Sequence, residues 1–440
     1  MYTILYFLFY LCKLDFSQML INRLDFPMIV LKKSKTNQTK KMASAHKNLL
    51  VQRTEAYTDP QQIKATGLYP YFRVIESDQD TEVIMNGQKV LMFGSNSYLG
   101  LTNHPRIKEA AKAAIDKYGT GCAGSRFLNG TLDLHLQLER RLADFVGKEE
   151  AIVYSTGFQV NVGVVPTFTG RSDYIILDDL DHASIIEGSR LSFSKVLKYR
   201  HNDMDSLEKI LQRCEPDQMK LIVVEGIYSM DGDIVNLPGI IELSEKYNGT
   251  VMVDDAHSLG VIGEGGRGAS SHFGLTDRTD LIMGTFSKSL ASIGGFIASD
   301  SATINFLMHR SRTLMFSASI APPAAACVIA ALDVMQEEPE RIQHLWDITH
   351  YTIKYLKEAG FDLGATQTPI IPLMVRDNMK TFKFTKALLD EGIFINPVLS
   401  PAVADDSTLI RLSLMATHNY NQIDFAIDKL VKVGKSLGVI

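Results

Sequence analysis

Lys288 lies in LIMGTFSKSLASIGGFI, residues 281–297, and is the only charged residue between Asp280 and Asp300. A lysine isolated among glycines, hydroxyls and apolar side chains is either incidental to a loop or a working amine, because desolvation lowers its pKa and frees the nitrogen lone pair. Thr285 and Ser287 beside it suit phosphate oxygens, and the amine could form a Schiff base with an aldehyde cofactor. Upstream, VMVDDAHSLG sets Asp254 and His257 three residues apart directly after an apolar run. A carboxylate there is costly unless it has a partner or a task. His182, in DHASIIEGSR, and Ser229, in EGIYSMDGD, follow two further apolar runs. Gly157 and Phe158, in STGFQVN, stand at a strand-to-helix turn whose free N–H groups could hold a phosphate. Each feature is common alone. Together, a lysine, a strand-end acid, an upstream histidine and several phosphate-holding turns describe a pyridoxal phosphate site. In such a site Asp254 could keep the pyridine nitrogen protonated, His182 could lie over the ring and His257 could bond its phenolic oxygen. Lys288 could tether the cofactor and move a proton.

The elements that must position these residues are legible as alternating patterns. AIVYSTG (151–157), DYIILDD (173–179), LIVVEGIYS (221–229), TVMVDDAH (250–257) and DLIMGTFS (280–287) read as buried strands. Helical stretches separate them; in LHLQLERRLADFVG, Leu134, Leu138, Leu142 and Phe145 share one face. This predicts an α/β fold, a largely parallel sheet covered by helices, with ligands received at the carboxyl ends of its strands. Toward the C-terminus ACVIAALDVMQ reads as helix, PIIPLMVR and STLIRLSLM as strands, and the final segment as an amphipathic helix. The expected division is an N-terminal extension over 1–45, a segment packing with the small domain over 46–95, a large cofactor-binding domain over 96–330 and a small α+β domain over 331–440.

LMFGSNSYLGL, GTGCAGSRFLNGTLDLH, DHASIIEGSRLSFS, VDDAHSLGVIG, GTFSKSLASIGGF and IRLSLMATH occur in this order within roughly residues 60–435. In this ordered set the chain resembles the α-oxoamine synthases, which condense an amino acid with an acyl-CoA and release carbon dioxide. The glycine-rich and lysine segments are most similar to the soluble bacterial serine palmitoyltransferases; relatives that use glycine or alanine differ here, with a glycine where Ser287 stands. The resemblance implies the PLP-dependent aminotransferase-like fold type I, with a mostly parallel seven-stranded sheet in the large domain. It implies that Lys288 carries the cofactor, Asp254 pairs with the pyridinium nitrogen and His257 meets the phenolic oxygen. His182 would stack on the ring and contact the substrate carboxylate. Gly157, Phe158, Ser229, Thr285 and Ser287 would surround the cofactor, mainly at its phosphate. Arg411, in LIRLSLM, would bind the amino-acid carboxylate, a task for a planar bidentate donor, although the residue type alone also fits a routine salt bridge. Asn96 would lie near the substrate. The family's active sites sit at a dimer interface, so Ser317 and Ser319, in MFSAS, would reach the phosphate of the partner in a homodimer. The substrates implied are L-serine and a long-chain acyl-CoA such as palmitoyl-CoA, giving 3-ketodihydrosphingosine in the first step of sphingolipid biosynthesis. Glycine with acetyl-CoA, or alanine with a pimeloyl thioester, are the alternatives within the family.

Composition narrows the field further. The chain has 440 residues, 45% hydrophobic, with a formal net charge of −5. That balance supplies no basic field for nucleic acid. Cys12, Cys122, Cys214 and Cys327 are far apart and show no metal-ligand spacing, which fits a reduced, cytoplasmic setting and no metal site. MYTILYFLFYLC is apolar but is followed by Lys13 and Asp15, too short for a span of roughly 20 apolar residues, and no signal-peptide cleavage pattern follows. LKKSKTNQTKKMASAHK reads as a basic linker, with Met42 a candidate start and the preceding run a candidate peripheral contact with the inner membrane. GEGGRG (263–268) matches a dinucleotide fingerprint but is followed by ASSHFGL, a poor opening for the required helix. A catalytically silent subunit would be expected to lack Lys288.

Overall fold

The computed structural model describes residues 48–400 and 402–440. The N-terminal apolar run, the basic linker and Met42 lie outside the described residues. The chain forms two units, one ending at Gln62 and one running from Ile63 to Ile440. In the first, Asn48 caps the helix Leu49–Ala56 by accepting from the Val51 N–H.

A seven-stranded sheet organises the second unit. Its order is Glu150–Tyr154, Gly295–Ser299, Leu281–Thr285, Thr250–Asp254, Lys220–Glu225, Tyr174–Asp178 and Lys195–Tyr199. Gly295–Ser299 runs antiparallel to both neighbours and the other pairings are parallel. Lys220–Glu225 and Leu281–Thr285 are buried along their whole length, which is why they read as continuous apolar runs rather than alternating ones. Each run ends earlier as a strand than its apolar pattern suggested: LIVVEGIYS is strand only to Glu225, and the remainder is the loop that carries Ser229. The helix Asp133–Val146 buries Leu134, Leu138, Leu142 and Phe145 as its pattern required. GEGGRG forms a single 3-10 turn, and a four-residue helix, Ala269–His272, follows it, with the Ala269 N–H donating to Asp255 Oδ1. No long helix opens there to receive a dinucleotide.

Two smaller sheets complete the unit. Ile370–Met374, Leu409–Ser413 and Asn396–Val398 form an antiparallel sheet with Leu409–Ser413 in the centre. Glu82–Met85 and Gln88–Met92 form a hairpin across Asn86 and Gly87, both at positive φ as such a two-residue turn requires. Ile393–Phe394 pairs in parallel with Gln88–Met92. Thereafter the chain from Phe93 is stitched to the central strand, Ser413 N–H donating to Phe93 O at 2.8 Å and Ala416 N–H to Tyr98 O at 2.7 Å. This stitching brings Asn96 and Tyr98 to Arg411. The final helix, Tyr420–Leu437, is amphipathic and opens with a capping box at Asn419 and Gln422. Among the described residues no helix is long and apolar enough to cross a membrane, no cluster could hold a metal ion, and Cys122, Cys214 and Cys327 are free.

Candidate active site

Two cavities meet at the carboxyl ends of the large sheet's strands and share His182, His257 and Lys288. The inner one, about 360 Å³, is lined by Gly157, Phe158, Asp254, Thr285 and Ser287. The outer one, about 490 Å³, is lined by Asn96, Ser229 and Arg411. Eleven of the thirteen residues singled out in the sequence therefore surround one continuous region. The exceptions are Ser317 and Ser319. Ser317 Oγ accepts from Gln159 Nε2 at 3.3 Å, while Ser319 donates to Gly124 O through its N–H and its hydroxyl.

Lys288 follows the strand Leu281–Thr285 by three residues. Burial lowers its pKa, Asp254 and Glu225 oppose that, and the result is about 8. The amine is thus a base close to neutral pH. Asp254 ends its strand with a carboxylate held at both oxygens: Asn161 Nδ2 donates to Oδ2 at 2.7 Å and the Ala256 N–H to Oδ1 at 2.9 Å. Asn161 also donates to Ser184 Oγ at 2.9 Å, and Ser184 supports His182. His182 caps the helix Ala183–Arg190; its Nδ1 accepts the Ser184 N–H at 3.2 Å, which leaves Nε2 to carry the proton of the neutral ring. Burial, helped by the Lys288 charge and opposed by that of Asp254, keeps that ring below its ordinary pKa.

His257 is fixed in the same way from the other side. Burial, then Lys288 and Arg411, hold its pKa well down, so the imidazole is neutral. Tyr98, whose own pKa is raised by burial, sits 2.6 Å from Nδ1. The phenol remains protonated and donates to Nδ1, so Nε2 carries the His257 proton. Arg411 Nη2 in turn donates to the Tyr98 hydroxyl at 3.3 Å. The guanidinium also donates from Nε to Ser229 O at 2.6 Å, and from Nη1 to Asn96 Oδ1 at 2.9 Å and Ser413 Oγ at 2.7 Å. Among the described residues this leaves one N–H on Nη2 without an acceptor.

The inner cavity fits a phosphate at one end and a ring at the other. The helix Gly157–Phe168 opens there with Thr156 as cap and no acidic residue in its first turn, so its exposed N–H groups and positive dipole end suit an anion. Thr285 Oγ1 and Ser287 Oγ lie 3.0 Å apart on the same wall. A Cβ at Gly157 would come 2.6 Å from Thr285 Oγ1, so glycine is what lets helix and hydroxyl close on one small group. Sequence reasoning missed Tyr98, Asn161, Ser184 and Glu225. Glu225 is 2% exposed, lies in register with Asp254, and leaves Oε1 unpartnered among the described residues. Burial, then Asp254, raises its pKa well above the carboxylate range. It carries the same signal as Asp254, an acid ending an apolar strand, and Asn161 was visible as an amide inside an apolar helix.

The geometry agrees with what the chain is similar to. The family model for class I and II aminotransferases matches residues 88–430. A serine palmitoyltransferase of Bacteroides ovatus is 60% identical over 392 residues, 89% of this chain and all of the relative. An 8-amino-7-oxononanoate synthase of Petrotoga mobilis is 42% identical over 382 residues, 86% of this chain and 97% of the relative. Among solved structures, a serine palmitoyltransferase from S. paucimobilis with PLP and myriocin bound superposes with a TM-score of 0.87 at 34% identity, covering 90% of this chain and 100% of that one. The chain belongs to the class I and II aminotransferase family, as a fold-type-I, pyridoxal phosphate-dependent α-oxoamine synthase grouped with the bacterial serine palmitoyltransferases.

Proposed function

We propose that the chain condenses L-serine with a long-chain acyl-CoA, palmitoyl-CoA above all, to give 3-ketodihydrosphingosine, coenzyme A and carbon dioxide. The observation that carries the choice of substrates is the gap in identity, 60% to a serine palmitoyltransferase against 42% to an 8-amino-7-oxononanoate synthase. The alternative condensation, alanine with a pimeloyl thioester, has the weaker support.

In this reading Lys288, Asp254, His257 and His182 would hold the aldehyde, pyridine nitrogen, phenolic oxygen and ring face of pyridoxal phosphate, with Gly157, Phe158, Thr285, Ser287 and Ser229 around the remainder. The cofactor supplies an electron sink for charge developing at the substrate Cα. Lys288, with a pKa of about 8, takes the Cα proton and later returns it. The Nε2 proton of His182 and the unclaimed Nη2 proton of Arg411 bind the serine carboxylate, so that the proton leaves Cα before carbon dioxide does. Arg411 offers a second N–H only if the carboxylate displaces Asn96 or Ser413. Met230, Pro397, Val398 and Leu399 give the outer cavity an apolar wall suited to the acyl chain. The same reading takes residues 96–330 and 331–440 as large and small domains. It takes the enzyme as a cytoplasmic homodimer with Ser317 and Ser319 at the partner's phosphate and peripheral contact with membrane for its lipid product.

Purified holoenzyme should be yellow, and its absorbance should change on adding L-serine but not glycine or L-alanine. With palmitoyl-CoA present it should then form 3-ketodihydrosphingosine. A response to alanine in place of serine overturns the assignment.

A further inference from the structure

RHND, residues 200–203, was not among the residues singled out for chemistry, yet every side chain in it is engaged. Arg200 and Asp203 pair, and Asp203 caps the helix Met204–Leu211. The Asn202 N–H donates to Asp178 Oδ2 at 3.0 Å, and its Nδ2 to Asp233 Oδ2 at 2.9 Å. His201 stands between the same two acids, Nδ1 at 2.9 Å from Asp178 Oδ1 and Nε2 at 2.8 Å from Asp233 Oδ2. A neutral imidazole has one N–H and could satisfy one carboxylate only; both contacts together require the doubly protonated ring.

Asp233 belongs to the turn that carries Ser229. Ile227 and Ile234 bridge across this turn, the Tyr228 N–H donates to Asp233 O at 3.1 Å, and the His201 ring meets Tyr228 edge-on with centroids 4.3 Å apart. On the far side, Thr368 Oγ1 donates to Gly232 O at 2.9 Å. The turn is therefore gripped at its base, and its one contact with the substrate cavity's guanidinium is Ser229 O, 2.6 Å from Arg411 Nε.

We propose that His201, clamped between Asp178 and Asp233, is a positioning residue for substrate binding: it fixes the 227–234 turn so that the Ser229 carbonyl aims Arg411 at the amino-acid carboxylate. Asp178 is fully buried and His201 mostly so. Although burial alone would lower the pKa of His201, hydrogen bonds to the two acids push it up to about 10, so the clamp is closed across the neutral range. Losing it frees the turn, lets the Ser229 carbonyl tilt, and lets the guanidinium rotate toward Asn96. The cofactor contacts do not pass through this turn except at Ser229.

This inference rests on Arg411 as the carboxylate site, and the test separates the two. The serine dissociation constant is read from the absorbance change of holoenzyme, beside cofactor retention and the turnover number at saturating serine. His201→Phe should weaken serine binding about tenfold, as expected when one charge-assisted hydrogen bond slackens, with cofactor retention and saturated turnover within about threefold of wild type. Asp233→Asn, which keeps the shape and removes the charge, should weaken it about threefold, and His201→Gln should fall between. A serine constant within twofold of wild type in folded His201→Phe overturns the proposal. If His201→Phe does not fold, Asp233→Asn decides by the same criterion. Parallel loss of serine binding, cofactor retention and thermal midpoint also overturns it, since that is what a purely structural role would produce. If wild-type enzyme responds to another amino acid and not to serine, the substrate reading fails, and the clamp is judged on that amino acid's constant.

Discussion

The inner and outer halves of the site are built in different ways. The inner half takes Gly157, Asp254, Thr285 and Lys288 from the carboxyl ends of three strands of the one large sheet, each residue ending its strand or following it by three. The outer half is assembled around one side chain, Arg411, whose acceptors come from residues 96, 98, 229 and 413. The first construction is as rigid as the sheet. The second depends on stitching between distant segments, and a guanidinium with most of its donors already occupied can be redirected by any one of them.

The two halves should therefore fail differently. Removing the amine in Lys288→Ala should abolish turnover, a loss of at least about a thousandfold for a group that both tethers and transfers protons. The fold should remain intact, and borohydride reduction of wild type followed by peptide mapping should place the label on Lys288. A label on another residue would refute the assignment. In apoenzyme the rate of pyridoxal phosphate capture should rise with pH and level off around a midpoint of about 8, because the deprotonated amine is the reactive form. A midpoint near that of an ordinary lysine would show that burial does not tune it.

Arg411→Ala comes next in size. Serine binding should weaken by roughly 2–4 kcal/mol, the range for removing one partner of a well-made charge pair, while the cofactor stays bound. Cofactor loss in this variant would mean that the halves are not separable. Gly157→Ala should do the reverse. Its new Cβ would press on Thr285 at 2.6 Å and cannot be relieved by a flexible chain end, so cofactor affinity should fall by about 1–3 kcal/mol, the usual cost of overpacking. Serine affinity, measured on enzyme saturated with cofactor, should change little.

The same contrast explains what was legible in the chain. Lys288, Asp254, His257 and His182 stand just beyond apolar runs, and a local pattern suffices to place such residues at strand ends. Lys195–Tyr199 escaped because it is an edge strand with exposed lysines, and Gly295–Ser299 because it follows the lysine loop with only three apolar side chains. Tyr98, Ser184 and the His201 clamp were invisible for a different reason. Their roles are pairings across 159, 2 and 32 residues, respectively, with His257, His182 and Asp233, and only Ser184 lies within a local window. Even there, a serine near the start of a helix looks like ordinary capping chemistry. Glu225, which carried the same local signal as Asp254, and Asn161, an amide inside an apolar helix, are the omissions a stricter reading would have avoided.

The smallest predicted effect tests the Tyr98 hydroxyl, which bonds to both halves. Tyr98 donates to His257 Nδ1 and accepts from Arg411 Nη2, so Tyr98→Phe removes one hydroxyl from both arrangements while keeping the ring in its buried slot. The His257 ring then has no imposed tautomer, and the Nε2 proton proposed to meet the cofactor's phenolic oxygen is no longer assured. Arg411 keeps Ser229, Asn96 and Ser413 as acceptors, so its loss is partial. About 1 kcal/mol should therefore appear in serine binding, the net value of one intramolecular hydrogen bond, together with a shift in the cofactor absorbance band that Arg411→Ala does not produce. Combining Tyr98→Phe with Arg411→Ala should cost less than the sum of the separate losses, because the two residues share a bond. Strict additivity, with an unchanged absorbance band, would mean that the tyrosine merely fills space and that the two halves work independently.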